Sequence, residues 1–331
     1  MMRKSCLAIA VTFAACTPDS GTPIGTSTSP DGSTSSQDAS TEGSPGEAVA
    51  RGQSKPHAIA VDEATVFWLN EGEPGQPGTL MSATKSGGEA RTLVAAINDP
   101  QQIALDAQNV YWTEGAGGLK RIAKGGGASQ TMATPGSGGG ATALALDATH
   151  VFFIDYRGFG QSKIMKISIA SSESAELGAA LDPGRIAVDA TYVYVALNHG
   201  NILRVAKVGT SPVENVAVGK FYTPAMTVDG SLVYWVDSSQ NKILQVATKG
   251  GAITDVATGL AGVQDILVRS GSVYGVNTVG GFPGTVFRVP LGGGSRVNIA
   301  ENQKAPGAIA CDGLYVYWTN YNGDEVMRAP M

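Results

Sequence analysis

From residue 46 onwards the chain is a succession of short apolar runs separated by Gly, Asn, Asp and Pro. The last stretch, APGAIACDGLYVYWTNYNGDEVMRAP at residues 305–330, holds three such runs. Short runs that are rich in β-branched and aromatic residues and bounded by turn residues predict β-strands joined by hairpins. No helical spacing of useful length appears, so the pattern predicts an all-β protein.

One of these runs, four residues long and usually ending in Asp, recurs seven times. Its copies lie at residues 59–62, 103–106, 144–147, 186–189, 226–229, 266–269 and 309–312, so the step is 40 to 44 residues. A fixed period near forty with several strands in each unit is the signature of a propeller. The sequence therefore predicts a seven-bladed β-propeller of four-stranded antiparallel blades over residues 46–331.

Each unit repeats the same parts after its Asp. A second run ends in a polar residue, and a third run carries a basic or amide residue at a fixed place. Gly-rich turns then lead to a weaker fourth strand. The second-run polar residues are Asn70, Glu114, Asp155, Asn198, Asp237, Asn277 and Asn320. The third-run residues are Arg121, Lys166, Arg204, Gln245, Arg288 and Arg328.

The two ends of the repeat region complete each other. The seventh unit runs out after its third strand, which leaves an unpaired edge. The segment at residues 47–51 has the spacing of a fourth strand but belongs to no unit of its own. We therefore predict that residues 47–51 pair antiparallel with residues 325–329 and close blade 7 from both termini.

The second run resembles the YWTD repeat of the low-density-lipoprotein-receptor propellers. It reads YWTE at 111–114, YWVD at 234–237 and YWTN at 317–320, and a P-x-x-I-A-V-D element precedes it in several units. The resemblance implies a propeller and a structural role for the polar residue. That family closes with six blades, whereas seven units are present here, and the motif is degraded at Phe153, Val195 and Gly275. The chain resembles NHL-type and streptogramin-lyase-like propellers less closely.

The N-terminus has the features of an exported bacterial lipoprotein. Residues 1–15 carry two basic residues near their start, Arg3 and Lys4, and continue with an apolar core too short to span a bilayer, as in a signal peptide. Phe13-Ala14-Ala15-Cys16 resembles a lipobox, which implies lipidation of Cys16. Residues 16–45 are rich in Ser, Thr, Gly and Pro and predict a disordered tether. We expect a lipid anchor in the cell envelope, at the outer membrane; the alternative is a plain signal peptide cut nearby.

Charge and cysteine content limit the partners. The formal net charge is −5 for the whole chain and about −3 for the propeller alone, and no basic patch suits a nucleic acid. Cys311 occupies an apolar strand position, which predicts a buried and inert thiol. After removal of the signal peptide only Cys16 and Cys311 would remain, and no pair is then available for a disulfide framework. We expect a monomer whose partners are the membrane and a protein, peptide or glycan ligand.

Several histidines and acidic or amide residues could in principle carry catalysis or bind a metal, but structural roles explain them better. His57, His150 and His199 lie in different units and on two faces, so they predict neither a catalytic nor a metal cluster. The second-run polar residues form a ring that suits a hard cation such as Ca²⁺, but turn capping by hydrogen bonds to local backbone explains them better. The Asp residues that end the first runs suit Asx turns. We expect no cofactor.

One face of the predicted disc is rich in aromatic residues. The loops of units three to five, with contributions from six and seven, place there Tyr156, Arg157, Phe159, His199, Phe221, Tyr222, Phe282 and Tyr321. Aromatic and Arg side chains are common interface anchors, which makes this the candidate binding face. The sequence favours a non-catalytic binding protein of unknown ligand. The alternative is a propeller enzyme of lyase or lactonase type with a divalent metal over the central channel.

Overall fold

Seven four-stranded antiparallel sheets form a closed ring in the computed structural model, which describes residues 46–331 except 137–138, 159, 161, 210, 220–221 and 281–282. The first strand of every blade contacts the first strands of the two neighbouring blades, and the last of these contacts returns to blade 1. The prediction of an all-β, seven-bladed propeller is confirmed. The predicted signal peptide, Cys16 and the tether lie outside the described residues.

Within a blade the strands follow one another from the axis to the rim. Blades 1 and 2 contain β2 (Pro56–Val61), β3 (Thr65–Asn70), β4 (Gly78–Thr84), β5 (Arg91–Ile97), β6 (Pro100–Leu105), β7 (Asn109–Glu114), β8 (Gly118–Ala123) and β9 (Gln130–Ala133). Blades 3 and 4 contain β10 (Gly140–Leu146), β11 (His150–Tyr156), β12 (Ser162–Ser168), β13 (Ser174–Ala180), β14 (Pro183–Val188), β15 (Tyr192–Leu197), β16 (Ile202–Ala206) and β17 (Glu214–Ala217). Blades 5 and 6 contain β18 (Met226–Asp229), β19 (Leu232–Asp237), β20 (Lys242–Ala247), β21 (Thr254–Ala257), β22 (Val263–Arg269), β23 (Ser272–Thr278), β24 (Gly284–Pro290) and β25 (Val297–Gln303).

Blade 7 is assembled from both ends of the repeat region, as predicted. It contains β26 (Pro306–Cys311), β27 (Tyr315–Asn320) and β28 (Glu325–Pro330), and its outer strand is β1 (Glu47–Ala50). β1 pairs antiparallel with β28, with Ala48 opposite Met327. Val49 and Ala50 are buried in the core between blades 7 and 1. The Glu47 carboxylate also accepts two hydrogen bonds from the Arg328 guanidinium.

The disc has two faces, which we call upper and lower. First strands begin and second strands end at the upper face, and the turns between first and second strands lie at the lower face. At the lower face the predicted Asx turns form in five blades: a carboxylate oxygen accepts hydrogen bonds from the backbone two and three residues further on, in Asp62, Asp106, Asp147, Asp189 and Asp312. Blade 6 has Arg269 instead, and its turn uses positive φ at Ser270 and Gly271, which needs no capping carboxylate.

The same Asp residues join neighbouring blades. The Lys207 ammonium of blade 4 lies 2.7 Å from the Asp147 carboxylate of blade 3. The Lys85 ammonium of blade 1 lies 2.6 Å from the Asp312 carboxylate of blade 7. Lys124 of blade 2 pairs in the same way with the turn Asp of blade 1. Each ion pair ties the lower end of one blade to the next.

The basic residue of the third strand has a structural role that its spacing did not reveal. The Arg121, Arg204 and Arg328 guanidinium groups each donate a hydrogen bond to a backbone carbonyl at the end of the third strand in the following blade, over 2.7 to 2.8 Å. Lys166 donates to the Lys207 carbonyl in the same manner. These hydrogen bonds start from blades 2, 3, 4 and 7 and link each of them to the following blade.

Apolar side chains fill the spaces between blades. Trp68, Trp112 and Trp318 are fully buried, and each packs at the interface with the preceding blade. In blade 6 the corresponding position is Gly275, and the Phe287 ring lies over it. The degraded copy of the motif therefore keeps its interface filled from the third strand. No helix among the described residues is long and apolar enough to cross a membrane.

We expect the closure of blade 7 to carry a measurable share of the stability. A chain beginning at Ser54 loses β1, its backbone hydrogen bonds and the burial of Val49. Because each of these is worth about 1–2 kcal/mol, the melting temperature should fall by about 5–10 °C relative to a chain beginning at Gly46. Differential scanning calorimetry makes the measurement. Equal melting temperatures for the two chains would show that β1 is dispensable.

Candidate binding face and channel mouth

The backbone just before the first strand is strained in several blades. The residue before the first strand has positive φ in four blades, although none is glycine: Lys55, Asp99, Asp182 and Ala305. Its carbonyl accepts a hydrogen bond from the backbone just after the second strand. Non-glycine residues in this conformation cost about 1–3 kcal/mol each and persist where surrounding contacts enforce them. The strain fixes the entrance of each first strand beside the end of its second strand.

The predicted polar ring is present at the upper ends of the second strands, and its role is structural in more than one way. Among the contacts between described residues, Asp237 alone caps its own turn, by accepting hydrogen bonds from the backbone of Ser239 and Gln240. Asn70 and Asn320 donate instead to the side chains of Gln53 and Gln303, which precede the first strands of their blades. Each Gln also accepts from the buried Trp indole of that blade, at 3.0 and 2.9 Å. Turn capping alone was therefore too narrow an explanation for the ring.

The candidate face residues that the structure describes differ in exposure. Arg157 and His199 are exposed, and Tyr222 is 43% exposed. Tyr156 is half-buried and packs against the core between blades 3 and 4. Tyr321 is half-buried and its hydroxyl donates to the Glu71 carboxylate of blade 1. Phe159, Phe221 and Phe282 lie outside the described residues.

The Arg157 side chain is engaged within its own loop. Its Nε and Nη2 atoms donate to the same Asp155 carboxylate oxygen, over 2.9 and 2.6 Å. This hydrogen bonding and the carboxylate charge raise the pKa of Arg157 above its ordinary value. The guanidinium therefore stays charged, and its orientation is set by blade 3.

Two exposed apolar side chains, Leu181 and Val218, were missed by the sequence analysis and join Tyr222 on the predicted face. Leu181, Val218 and Tyr222 are 44%, 70% and 43% exposed, and all three lie on linkers between blades 3, 4 and 5 at the upper face. The linker that carries Val218 and Tyr222 runs beside the turn of His199, because the Gly219 backbone donates to the Asn201 side chain. We call Leu181, His199, Val218 and Tyr222 the upper patch.

A second feature of the upper end is a concentration of buried polar atoms without partners. Eight such side-chain atoms occur among the described residues, and they belong to His57, Asn70, Thr142, Asp155, Arg185, Asp265 and Asn320. All seven residues lie at the beginning of a first strand or the end of a second strand. Buried polar atoms are normally satisfied, so a one-sided concentration needs an explanation. The lower ends of the same strands contribute none.

Four of these residues lie near the upper ends of the first strands, which contact one another around the centre of the ring. His57, Thr142, Arg185 and Asp265 come from the first strands of blades 1, 3, 4 and 6. The pairing of those first strands with their second strands is interrupted there by a β-bulge, the kind of irregularity that re-aims side chains. We call these four residues the channel mouth.

The histidines do not form a common centre. His57 is buried with its Nε2 atom 3.0 Å from the Pro100 carbonyl of blade 2, and burial lowers its pKa. His150 contacts Thr149 at the lower face and His199 is exposed at the upper face. Among the described residues, no group of three or more His, Cys, Asp or Glu side chains is arranged to hold a metal ion. Cys311 is half-buried and unpaired, and burial raises its pKa.

Comparison with known proteins supports the fold. No family model and no curated protein matches the chain. Among solved structures, virginiamycin B lyase from Staphylococcus aureus is similar with a TM-score of 0.69 and 16% identity, covering 84% of this chain and 95% of that one. The computationally designed Ika8 protein is similar with a TM-score of 0.63 and 12% identity, covering 86% and 100%. At these identities the likeness defines a β-propeller, and the YWTD resemblance stays a prediction.

Proposed function

We propose that this protein is a non-catalytic binding propeller, held in the bacterial cell envelope by a lipid on Cys16 and a flexible tether. The observation that carries the binding role is the upper patch. Leu181, Val218 and Tyr222 expose apolar surface together on linkers of three consecutive blades, beside the polar His199. Exposed apolar residues grouped on one face and rimmed by polar groups are typical of interaction sites.

Hydrogen bonds beside the upper patch support a preformed surface. The Gly200 backbone donates to the Leu197 carbonyl, and the Gly219 backbone donates to the Asn201 side chain. A preformed surface loses little conformational entropy when it binds, so a modest contact area suffices. We propose a protein, peptide or glycan of the envelope as the ligand.

The lipid anchor is tested by the Cys16→Ala variant. Without the lipid, this variant should be lost from the envelope fraction. Its full retention in that fraction would contradict the proposed anchor.

The binding role is tested by paired substitutions on the two faces. Val218→Ser with Tyr222→Ser removes apolar surface from the upper patch, and Val208→Ser with Leu314→Ser removes comparable exposed surface from the lower face. Each protein is used to capture partners from an envelope extract, with quantification by mass spectrometry. Because central apolar anchors each contribute about 1–2 kcal/mol or more, the upper variant should lose at least about tenfold of the captured partner.

The lower variant is the control and should capture as much as the unchanged protein. Both variants change only exposed side chains, so their melting temperatures should remain close to that of the unchanged protein. Equal capture by the upper and lower variants would remove the upper patch as the binding surface.

The alternative is a propeller enzyme with a divalent metal over the central channel. The similarity to a solved lyase does not decide between a binding protein and an enzyme, since one fold serves many functions. Metal analysis of the purified protein after dialysis discriminates between the two. The binding proposal predicts less than about 0.1 equivalent of any divalent metal per chain, whereas a stoichiometric, tightly held Ca²⁺ or Mg²⁺ would favour the enzyme.

A further inference from the structure

The channel mouth contains a charged side chain, Arg185, at a position where the other blades have Ala, Gln or Asp. The third residue of the first-strand repeat is Ala58, Gln102, Ala143, Arg185, Ala225, Asp265 and Ala308 in the seven blades. Gln102 and Asp265 each accept a hydrogen bond from the backbone N–H of the next blade, at Leu144 over 2.7 Å and at Ile309 over 3.0 Å. Arg185 carries only donors, so it cannot make this bond to blade 5.

Arg185 is nearly buried and only partly satisfied. The residue is 8% exposed, and its Nη1 atom donates to the Gly184 carbonyl. Its Nε and Nη2 atoms have no hydrogen-bond partner, and it forms no ion pair with any described residue. A buried guanidinium stays protonated, so the unsatisfied donors carry a cost that side-chain neutralisation cannot remove. The two free atoms are adjacent and form the planar edge that binds a carboxylate in a bidentate manner.

Asp265 lies on the other side of blade 5 from Arg185. It is fully buried, and its Oδ1 atom has no partner. Burial raises the pKa of Asp265 well above its ordinary value, and the Arg185 charge is near enough to oppose this rise. A protonated carboxyl group is a hydrogen-bond donor. Ala225 is the residue of blade 5 between them, so only a methyl group occupies that position of the ring.

We propose that the channel mouth binds one carboxylate group, held by the Nε–Nη2 edge of Arg185 with Asp265 as a second donor. This site goes beyond the upper patch and uses none of its residues. In the structure both free atoms of Arg185 are closed to solvent. The proposal therefore requires the side chain to turn towards the channel before a ligand can reach them. The ligand must therefore be small, or must present its carboxylate at the end of a chain.

Two sources supply such a group, a free carboxylic acid and the C-terminal carboxylate of a peptide. The probes are radiolabelled acetate and a labelled Gly-Ala-Ala peptide with an acetylated N-terminus and a free C-terminus. The same peptide with an amidated C-terminus is the matched negative probe. Equilibrium dialysis of the purified full chain is done in a chloride buffer without phosphate, sulfate or other carboxylates. Chloride keeps the ionic strength constant in every measurement.

The proposal predicts saturable binding of one equivalent of acetate, of the free-carboxylate peptide or of both, and no binding of the amidated peptide. Arg185→Gln should weaken the binding about tenfold to a hundredfold, because a charge-assisted hydrogen-bond pair is lost. Gln is chosen because Gln102 is accommodated at the equivalent position of blade 2. Arg185→Lys keeps the charge but removes the planar edge, so it should still lose several-fold in affinity.

Two further variants separate the site from general effects of charge. Asp265→Asn keeps an acceptor for Ile309 and a donor for the ligand, so it should bind within about threefold of the unchanged protein. Arg269→Gln removes an exposed Arg at the lower end of the same strand of blade 6 and should not alter binding. The proposal would be overturned if neither acetate nor the free-carboxylate peptide bound saturably, or if the folded Arg185→Gln variant bound them as well as the unchanged protein does. Failure of the upper-patch experiment alone would leave the carboxylate site untouched.

Discussion

The structure depends on contacts between blades, because no blade can bury both of its faces alone. Each sheet is covered on both sides by its neighbours, and large aromatic residues such as Trp112 and Trp318 fill the space between. Polar links reinforce this packing at the rim and the lower face. Arg328 and Lys85, for example, join blade 7 to blade 1 by a hydrogen bond and an ion pair. The ring also closes through β1, so the first and last blades are joined by backbone pairing.

The polar groups at the two ends of the disc are arranged differently. At the lower end the Asp carboxylates accept backbone hydrogen bonds and pair with Lys from the next blade. For Asp147, burial alone would raise the pKa, but the Lys207 ammonium and the backbone donors outweigh it and lower the pKa to about 2. At the upper end Arg185 and Asp265 are buried without full pairing, and residues such as Asp182 adopt strained backbone conformations. Unsatisfied and strained groups in an otherwise consistent fold indicate a functional region.

The repeat made the fold predictable to the level of the closing strand. A hydrophobic pattern with a fixed period specifies strands, and the missing strand of unit seven could be counted from the same spacing. The inter-blade role of Arg204 and its equivalents was not predictable, since its acceptor lies on another blade. The upper patch was found in part through Tyr222, but Val218 and Leu181 required knowledge of exposure. Arg185 had no recognisable sequence signal, because the equivalent residue is Ala, Gln or Asp in the other units and belongs to no motif. Its mismatch becomes visible only beside the bonds that Gln102 and Asp265 form.

The central claim is that the polar groups at the lower end of the disc stabilise the fold, whereas the buried polar groups at the upper end destabilise it and form a binding site. The most direct test compares free energies of unfolding for one chemical change at each end, Asp147→Asn and Asp265→Asn, at pH 7 and pH 3. At pH 7 Asp147→Asn should lower stability by about 1 kcal/mol, a loss that shrinks as pH falls from about 4 to 2 and the carboxylate is protonated. Burial raises the pKa of Asp265, so the folded chain keeps the proton to a higher pH than the unfolded chain does, and stability falls as pH rises above the ordinary Asp range. Asp265→Asn should therefore raise stability at pH 7 by about 1 kcal/mol. A loss of stability at pH 7 in Asp265→Asn as large as that in Asp147→Asn would contradict the account.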